Sequence, residues 1–353
     1  MKMHFLSCHS VLEYDEVSLF TEMGIDVFSN GAYIDPKGHF TLPRPAIEGM
    51  IYHPEWAELA RRTPRTELPP ELIEPFDVIM IMHSPDVLFQ NWERIKHKTV
   101  IWRSIGQSTA GIERQLEPLV AQGLKIVRYS PMEKNIPNYS GEDAMIRFYK
   151  DPDEFKGWKG DDNSLINFTQ SLMGRRMFCH YDEIMELIKT FNGKVYGTGN
   201  EDLGQFNGGE LPYDLMKGKM RDARVYIYGG TWPACYTLSL IEAMMTGIPV
   251  VAIGKTLASV PSSNFEQFDF YEVSDIIENG INGFCKNEIP KLYDAIKTMM
   301  DDKIYAQKIG NNGRKTAIRL FGKKTIKEQW INYLTKYGYN KPLISDGQIT
   351  NLT

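Results

Sequence analysis

Short apolar runs alternate with helical patterns along the first half of the chain. Five runs have the length of a strand: residues 3–8, 26–29, 76–82, 99–102 and 124–129. Residues 11–23 have helical spacing, and Gly24 is placed to end that helix. Strands separated by helical segments are typical of a parallel α/β sheet. Residues 34–70 interrupt the alternation with Pro, His and Gly, so we predict a long excursion there.

A second alternating series follows in the other half of the chain. Its predicted strands are residues 165–169, 194–196, 225–228 and 250–253. Its predicted helices are residues 181–191, 211–220, 289–300, 304–321 and 324–337. The charged, Gly-containing stretch 151–162 lies between the two series and is weakly periodic, so we predict a linker there. In two doubly wound halves, ligands bind at the carboxyl ends of the strands, so the residues that end strands are the candidates for function.

The stretch from Arg224 to Gly254 carries the strongest functional signal. It reads RVYIYGGTWPACYTLSLIEAMMTGIPVVAIG, which predicts a strand, a Gly/Pro-rich loop, a helix and a second strand. We expect the helix to begin at about Tyr236. The first N–H groups of a helix lack intrahelical acceptors and its dipole favours negative charge, so this start is suited to an anion. Glu242 is the lone acid on an otherwise apolar helix and needs a partner, such as a sugar hydroxyl.

Composition narrows the class of protein. The chain has 353 residues, 42% hydrophobic and 24% charged, as in a globular protein with room for two domains. The formal charge of −5 gives no general attraction to nucleic acid or to an anionic membrane. Its four cysteines are scattered without metal or disulfide spacing. With no signal-peptide pattern at the N-terminus and no long apolar run, we expect a cytoplasmic protein.

The second series resembles the nucleotide-sugar-binding domain of GT-B glycosyltransferases. The likeness is greatest to the large retaining family that carries a Glu, seven residues and a second Glu. It rests on TLSLIEAMMTGIPVVAIG (residues 237–254), IENGINGF (277–284) and a tail with Gly310, Arg314, Phe321 and Trp330. It covers about residues 160–335. The resemblance implies an α/β GT-B fold, in which two Rossmann-like doubly wound domains face each other across a cleft.

The resemblance also implies a separate role for each domain. We expect an N-terminal acceptor-binding domain at residues 1–157 and a C-terminal domain for the nucleotide-sugar donor at 158–322. Residues 323–353 would form a helix that crosses back to the N-terminal domain, followed by a tail. The expected activity moves a sugar from a nucleotide diphosphate sugar, most simply a UDP-sugar, to a hydroxyl of a glycan, lipid-linked or small-molecule acceptor. Retention of the anomeric configuration follows from the resemblance alone.

One departure from the family leaves two alternatives open. Eight residues before Glu242 the family has the Glu that contacts the donor sugar, and this chain has Ala234. One alternative is therefore a nucleotide-sugar-binding protein with impaired catalysis. The other is a phage-type DNA-base glycosyltransferase, since CYTLSLIEAM also resembles the corresponding helix of the phage DNA glucosyltransferases. Nucleic acid would be a partner only in that case.

Candidate donor-site residues lie at the strand ends of the second series. In the family, the Glu at position 242 accepts hydrogen bonds from the ribose hydroxyls. The helix start, with Tyr236, Thr237, Leu238 and Ser239, is the candidate for the diphosphate, and a cap by Thr237 alone is the simpler explanation of the same pattern. The remaining candidates are the loop residues Gly230, Thr231 and Trp232, the strand-end glycines Gly197 and Gly199, and Arg175 and Arg176. A fixed Arg stabilises charge that develops on a leaving diphosphate, so we assign one of these two arginines to catalysis.

Candidate acceptor-side residues end the strands of the first series. His83 follows residues 76–82 and is a candidate catalytic base. The others are His9, Glu13, Asp15, Arg103, Ser104 and Gln107.

A literal Asp-x-Asp pair raises the question of a metal. Asp151-Pro152-Asp153 has the spacing that holds a metal in the other glycosyltransferase fold, yet it lies in the predicted linker, away from any strand end. We interpret both acids as solvated. Because a helix dipole and arginines can supply the metal's electrostatic role, we predict no required metal and no further cofactor.

Overall fold

The computed structural model describes residues 1–38, 44–259 and 270–340. These residues form two compact units. The first contains Met1–Arg103, Leu119–Ile126 and the C-terminal stretch from Lys327, and the second contains Ser104–Pro118 and Val127–Ile326. The divisions between the units do not fall at residues 157 and 158, and the domain boundaries inferred from the sequence stay a prediction.

The first sheet has six strands in the order β2-β1-β3-β4-β5-β6. The strands are β1 (Lys2–Ser7), β2 (Asp26–Asn30), β3 (Val78–Met82), β4 (Thr99–Arg103), β5 (Lys125–Arg128) and β6 (Ala144–Met145). The neighbours β2 and β3 both pair with β1 in parallel. All five residues of β3 are buried. Such continuous burial is typical of a parallel strand covered on both faces.

The second sheet also has six strands, in the order β12-β11-β10-β7-β8-β9. They are β7 (Asp162–Phe168), β8 (Lys194–Tyr196), β9 (Asn207–Gly209), β10 (Ala223–Tyr228), β11 (Val250–Ile253) and β12 (Phe284–Lys286). β10 pairs in parallel with β7 on one side and with β11 on the other. Every residue of β10 and β11 is buried. These two strands form the centre of the core of the second unit.

Helices connect the strands in both units. They are α1 (Ser10–Glu22), α2 (Pro54–Arg62), α3 (Pro85–Ile95), α4 (Ala110–Ala121), α5 (Arg176–Cys179), α6 (Tyr181–Thr190), α7 (Tyr213–Asp222), α8 (Leu238–Thr246), α9 (Lys255–Ala258), α10 (Val273–Ile276), α11 (Ile289–Asp301), α12 (Lys303–Phe321) and α13 (Lys323–Thr335). In the part of the chain that is described, no helix is long and apolar enough to cross a membrane. The prediction of two parallel α/β sheets is confirmed.

Some predicted elements need correction. The excursion at residues 34–70 contains α2, which the Pro and His residues of that stretch concealed. The two-residue β6 is too short to show periodicity, and β9 reads NGG, without an apolar side chain, so neither was predicted; the three-residue β12 was not predicted either. The predicted strand 194–196 coincides with β8.

The stretch predicted as a linker, residues 151–162, is packed rather than extended. Phe155 is buried, and the indole N–H of Trp158 donates to the carbonyl of Ala223 at 2.8 Å. Arg314 of α12 donates to the carbonyls of Pro152, Phe155 and Met245. One guanidinium thus connects this stretch with the last residues of α8.

The helix α13 packs against α1 within the first unit. Lys327 donates to Glu22 at 2.8 Å, and the ring of Trp330 lies edge-on to Phe20 with centroids 5.0 Å apart. After the helix, the Tyr339 hydroxyl donates to the carbonyl of Met23 at 2.6 Å. The chain therefore returns to the N-terminal sheet after completing the second one, which the resemblance implied.

A buried histidine lies in β1. His4 is fully buried between the rings of Phe28 and Phe76, and its Nδ1 lies 2.8 Å from the carbonyl oxygen of Leu72. Burial disfavours the charged imidazolium and lowers the pKa of His4 to about 4, although the contact with Leu72 opposes the shift.

This burial makes folding stability depend on pH. The unfolded chain takes up a proton at His4 below its ordinary pKa of about 6.5, and the folded chain does so only near 4. We expect the free energy of unfolding of the wild type to fall, relative to His4→Phe, by about 3 kcal/mol between pH 6.5 and pH 4. Urea denaturation of both proteins across this range measures the difference. A difference that does not change with pH would contradict the assignment.

Candidate functional site

The carboxyl edge of the second sheet brings the predicted donor residues together. β7, β8 and β10 are parallel neighbours, so the loops that follow them leave the sheet at the same edge. Arg175 follows β7, Gly197 and Gly199 follow β8, and Thr231 follows β10. Hydrogen bonds join these loops directly: the Ser171 N–H donates to the Thr198 carbonyl at 2.8 Å.

The helix after β10 begins two residues later than predicted. α8 starts at Leu238, and Thr237 occupies the cap position in an extended conformation. Among the described residues the Thr237 side chain accepts no capping hydrogen bond; its hydroxyl lies 3.0 Å from the Ser239 hydroxyl instead. Simple capping by Thr237 is therefore wrong. Leu238 and Ser239 form the half-exposed first turn, whose N–H groups lie where a helix has no internal acceptors.

Two tyrosines fix the backbone immediately before this turn. The Thr237 N–H donates to the Tyr228 hydroxyl at 3.0 Å, and the Cys235 N–H donates to the Tyr129 hydroxyl at 2.7 Å. Tyr236 is itself buried and donates from its hydroxyl to the carbonyl of Tyr129 at 2.9 Å. Tyr236 therefore supports the helix start from its buried side, and its side chain is shielded from solvent.

A buried carboxylate, Glu272, extends this support. It pairs with Arg147 and accepts a hydrogen bond from Ser130. Its backbone N–H donates to the carbonyl of Cys235 at 3.1 Å. The loop before α8 is thus held by side chains from far along the sequence, and an anion at the first turn would meet a fixed backbone.

Glu242 is buried on α8, as its apolar neighbours predicted, and it has a charged partner. Its Oε1 lies 2.8 Å from Nζ of Lys150, and both side chains are less than a tenth exposed. The Lys150 backbone pairs with the chain around Gly322, since its N–H donates to the carbonyl of Phe321 at 3.0 Å. Lys150 thereby orients the carboxylate that the sequence assigns to the ribose.

The structure separates the two candidate arginines. Arg175 is half-buried and donates to the Thr231 hydroxyl at 3.0 Å, which directs its guanidinium to the loop after β10. Arg176 is 54% exposed, pairs with Asp182 and lies over the ring of Tyr181. Of the two, only Arg175 contacts the predicted donor loop.

The glycines of the site allow close approach of backbone segments. Gly197 has a φ of +131°, and a Cβ there would lie 2.9 Å from the carbonyl oxygen of Thr169. Gly230 has a φ of +76° beside the rings of Tyr228 and Tyr271, and Gly199 has a φ of +73°. Trp232 is buried against Phe270, so its ring is part of the packing that supports this loop.

The acceptor-side candidates near α1 already have partners within the first unit. Glu13 is buried and accepts hydrogen bonds from the Ser29 hydroxyl and from the N–H groups of Ala32 and Tyr33. Burial raises its pKa, and these hydrogen bonds oppose the rise. His9 is exposed and caps α1 through a 3.3 Å hydrogen bond from Leu12, and Asp15 is buried.

The candidates at the ends of β3 and β4 differ in exposure. His83 is half-buried, with a φ of +42° and its ring 5.5 Å from that of Trp102. Arg103 is fully buried and pairs with Glu16 at 2.7 Å, which gives it a structural partner. In the second unit, the buried Ser104 donates to Glu133 at 2.7 Å, and Gln107 is exposed.

Both acids of the Asp-x-Asp pair, which we predicted to be solvated, lie close to a lysine side chain. Asp153 is 88% exposed and lies 2.9 Å from Lys156, and Asp151 lies 3.3 Å from Lys323. Within residues 1–38, 44–259 and 270–340, no group of three His, Cys, Asp or Glu side chains could hold a metal ion. Metal independence itself stays a prediction.

Sequence reasoning missed the residues that support the site. Lys150, Tyr129 and Arg147 lie about a hundred residues before α8, and the spacing of apolar and polar residues around them indicates no role in this site. Tyr228 could have been found, because it is the last residue of β10 and therefore stands at the edge where ligands bind.

Comparison with solved structures identifies the fold as GT-B. HepE of Anabaena in complex with UDP-glucose matches with a TM-score of 0.64 at 15% identity, over 95% of this chain and 100% of that one. Sucrose-phosphate synthase of Thermosynechococcus elongatus matches with a TM-score of 0.65 at 13% identity, over 95% and 98%. A glycosyltransferase of Rickettsia africae matches with a TM-score of 0.62 at 12% identity, over 96% and 99%.

Comparisons by sequence add nothing to this assignment. No family model matches the chain, and no curated protein matches it either. At identities of 15% or less, the structural likeness establishes the GT-B fold of two parallel six-stranded sheets. It does not establish the activity, which has to be inferred from the residues of the site.

The Lys150–Glu242 pair yields a test of stability. Lys150→Met leaves the buried carboxylate of Glu242 without its counter-charge, so we expect unfolding to become easier by about 3–5 kcal/mol. Adding Glu242→Gln should restore part of this loss, because the uncompensated charge is then gone. Urea denaturation measures both variants.

The matched control is Lys156→Met, which removes an exposed lysine paired with the exposed Asp153. We expect it to change the free energy of unfolding by less than about 1 kcal/mol. Equal effects of the two lysine substitutions would contradict the role given to Lys150.

Proposed function

We propose that this chain is a glycosyltransferase that uses a nucleotide diphosphate sugar, with a UDP-sugar as the first donor to test. The observation that carries the proposal is the carboxyl edge of the second sheet. There, Arg175 and the first turn of α8 flank the Gly-Gly-Thr loop after β10. The GT-B fold supports it, since HepE has that fold and has been solved with UDP-glucose.

In this proposal, the diphosphate binds at the start of α8. The N–H groups of Leu238 and Ser239 donate to phosphate oxygens, and the helix dipole stabilises their charge. When the bond between the sugar's anomeric carbon and the diphosphate oxygen breaks, negative charge develops on that oxygen. The Arg175 guanidinium, steadied by Thr231, stabilises the leaving group. The acceptor hydroxyl forms the new bond and gives its proton to a base, a role that the sequence alone suggests for His83.

In the same proposal, the nucleoside binds through its ribose at Glu242, further along α8 than the diphosphate. Glu242 accepts hydrogen bonds from the ribose hydroxyls, and the contact with Lys150 orients the carboxylate. A carboxylate has two acceptor oxygens, so a contact with an ammonium group is compatible with hydrogen bonds from hydroxyls. The acceptor class, retention of configuration, metal independence and cytoplasmic location remain predictions from the sequence.

Donor binding and turnover test the proposal together. We expect a UDP-sugar such as UDP-glucose to bind the whole chain in calorimetry and to release UDP when glycan, lipid-linked and small-molecule hydroxyl acceptors are supplied. DNA with hydroxymethylated bases belongs in the same panel, because transfer to it would identify the phage-type alternative. Binding without release on any acceptor would favour the impaired binder, and absence of binding across UDP, GDP and ADP sugars would refute the proposal.

The two arginines provide an internal comparison. Arg175→Ala should lower kcat by about 10²-fold, the loss typical of one charge-stabilising donor. Arg176→Ala is the matched control and should leave kcat nearly unchanged, since its guanidinium pairs with Asp182 at the surface. Steady-state kinetics with a saturating donor measures both. The reverse ranking would assign the leaving group to Arg176.

A further inference from the structure

A fully buried asparagine connects the loops that follow β7 and β8. Asn200 lies four residues after the end of β8 and is 0% exposed. Its amide nitrogen donates to the carbonyl of Thr169 at 2.7 Å and to the carbonyl of Gly197 at 2.9 Å. Its amide oxygen accepts from the Leu172 N–H at 2.8 Å. Both amide protons and the amide oxygen are therefore used, and two of the three bonds go to the loop after β7.

The loop after β7 has a conformation that its own residues do not favour. Ser171 has a φ of +46°, in the left-handed region that residues other than glycine rarely adopt. Its N–H donates to the carbonyl of Thr198 at 2.8 Å, and a Cβ at Gly199 would lie 3.3 Å from the Ser171 Cβ. A residue in such a conformation persists where its surroundings fix it. Here the surroundings are the loop after β8, to which Asn200 belongs.

The same loop carries Arg175. The Arg175 N–H donates to the carbonyl of Ser171 at 2.9 Å, so the backbone of the arginine is placed by the residue with the left-handed conformation. The guanidinium then donates to the Thr231 hydroxyl at 3.0 Å. Stabilisation of a leaving group requires a donor that is already in place when charge develops. A shift of this loop would therefore reach the guanidinium directly.

We propose that Asn200 is the positioning residue for Arg175. It fixes the loop after β7 and thereby keeps the guanidinium at Thr231, on the loop after β10. The inference rests on the proposed function and deepens it, because the rate of transfer then depends on a buried side chain that acts only through Arg175. The position requires an amide: an aspartate would place carboxylate oxygens against two carbonyls, and an alanine has no donor to offer them.

Asn282 provides a matched control in the same unit. It is 7% exposed and also makes three hydrogen bonds. It accepts from the Glu278 N–H at 2.7 Å and donates to the Ile276 carbonyl at 3.0 Å and to the Thr316 hydroxyl at 3.1 Å. It precedes β12, which is parallel to β11, and so lies toward the amino edge of the second sheet, opposite the proposed donor site. Loss of either amide should therefore affect stability alike and catalysis differently.

A double-mutant cycle on kcat tests the inference with the donor and acceptor that the wild type uses. We expect Asn200→Ala to lower kcat by about tenfold and Asn282→Ala by less than about twofold, with similar decreases in the urea midpoint. In an Arg175→Ala background, Asn200→Ala should lower kcat by less than about twofold more, because the group that it positions is already gone. Asn200→Ser keeps one hydroxyl, should lie between Ala and the wild type, and takes the place of Asn200→Ala if that variant does not fold.

Hydrogen exchange tests the loop apart from catalysis. The N–H groups of Ser171, Leu172 and Arg175 should exchange faster in Asn200→Ala than in the wild type, because the loop has lost the side chain that holds it. In Asn282→Ala they should exchange at nearly the wild-type rate.

The outcomes distinguish this inference from the proposed function. Equal losses of kcat in Asn200→Ala and Asn282→Ala would show that Asn200 acts through stability alone. Losses that multiply in the double variant with Arg175→Ala would show that it does not act through the arginine, and unchanged exchange would show that it does not hold the loop. Each of these results overturns the inference while the transferase proposal stands. A wild-type chain that transfers no sugar overturns both.

Discussion

The parallel pairing of β7 with β10 is the constraint on which the candidate site depends. Parallel strands end at the same edge, so the loop after β7 must meet the loop after β10, although about sixty residues separate them in the sequence. The hydrogen bond from Arg175 to Thr231 is the direct result. The pairing also makes β10 a central strand that is covered on both faces, and all six of its residues are buried.

The sequence predicted the elements whose pattern is local. Four strands of the second sheet, β7, β8, β10 and β11, and the long helices α11 to α13 have apolar runs or helical spacing, and they fall within a few residues of their predicted positions. The Gly/Pro-rich loop and the helix start were predicted for the same reason. The start of α8 was misplaced by two residues because Tyr236 and Thr237 have the composition of a first turn, and the Tyr228 hydroxyl that fixes Thr237 outside the helix comes from the preceding strand.

The rest of the site could not be predicted, because it depends on pairs of residues that are distant in the sequence. Nothing near Lys150 or Glu242 indicates that they meet, and the same holds for Arg147 and Glu272. Buried charges require such partners, but the physical requirement does not say which of the chain's 40 basic residues supplies one. The distinction between Arg175 and Arg176 is of the same kind: adjacent residues of one type differ only in what the fold places next to them.

The hydrogen bonds of Arg314 affect the electrostatics of α8, the helix at which we propose that the diphosphate binds. It donates to the carbonyl of Met245, in the last turn of α8, and to carbonyls of the stretch at Pro152 and Phe155. A cation thus complements the negative end of the helix, as the proposed diphosphate would complement the positive end. If the proposed diphosphate binds at Leu238 and Ser239, the nine residues of α8 would lie between an anion at one end and the Arg314 guanidinium of α12 at the other.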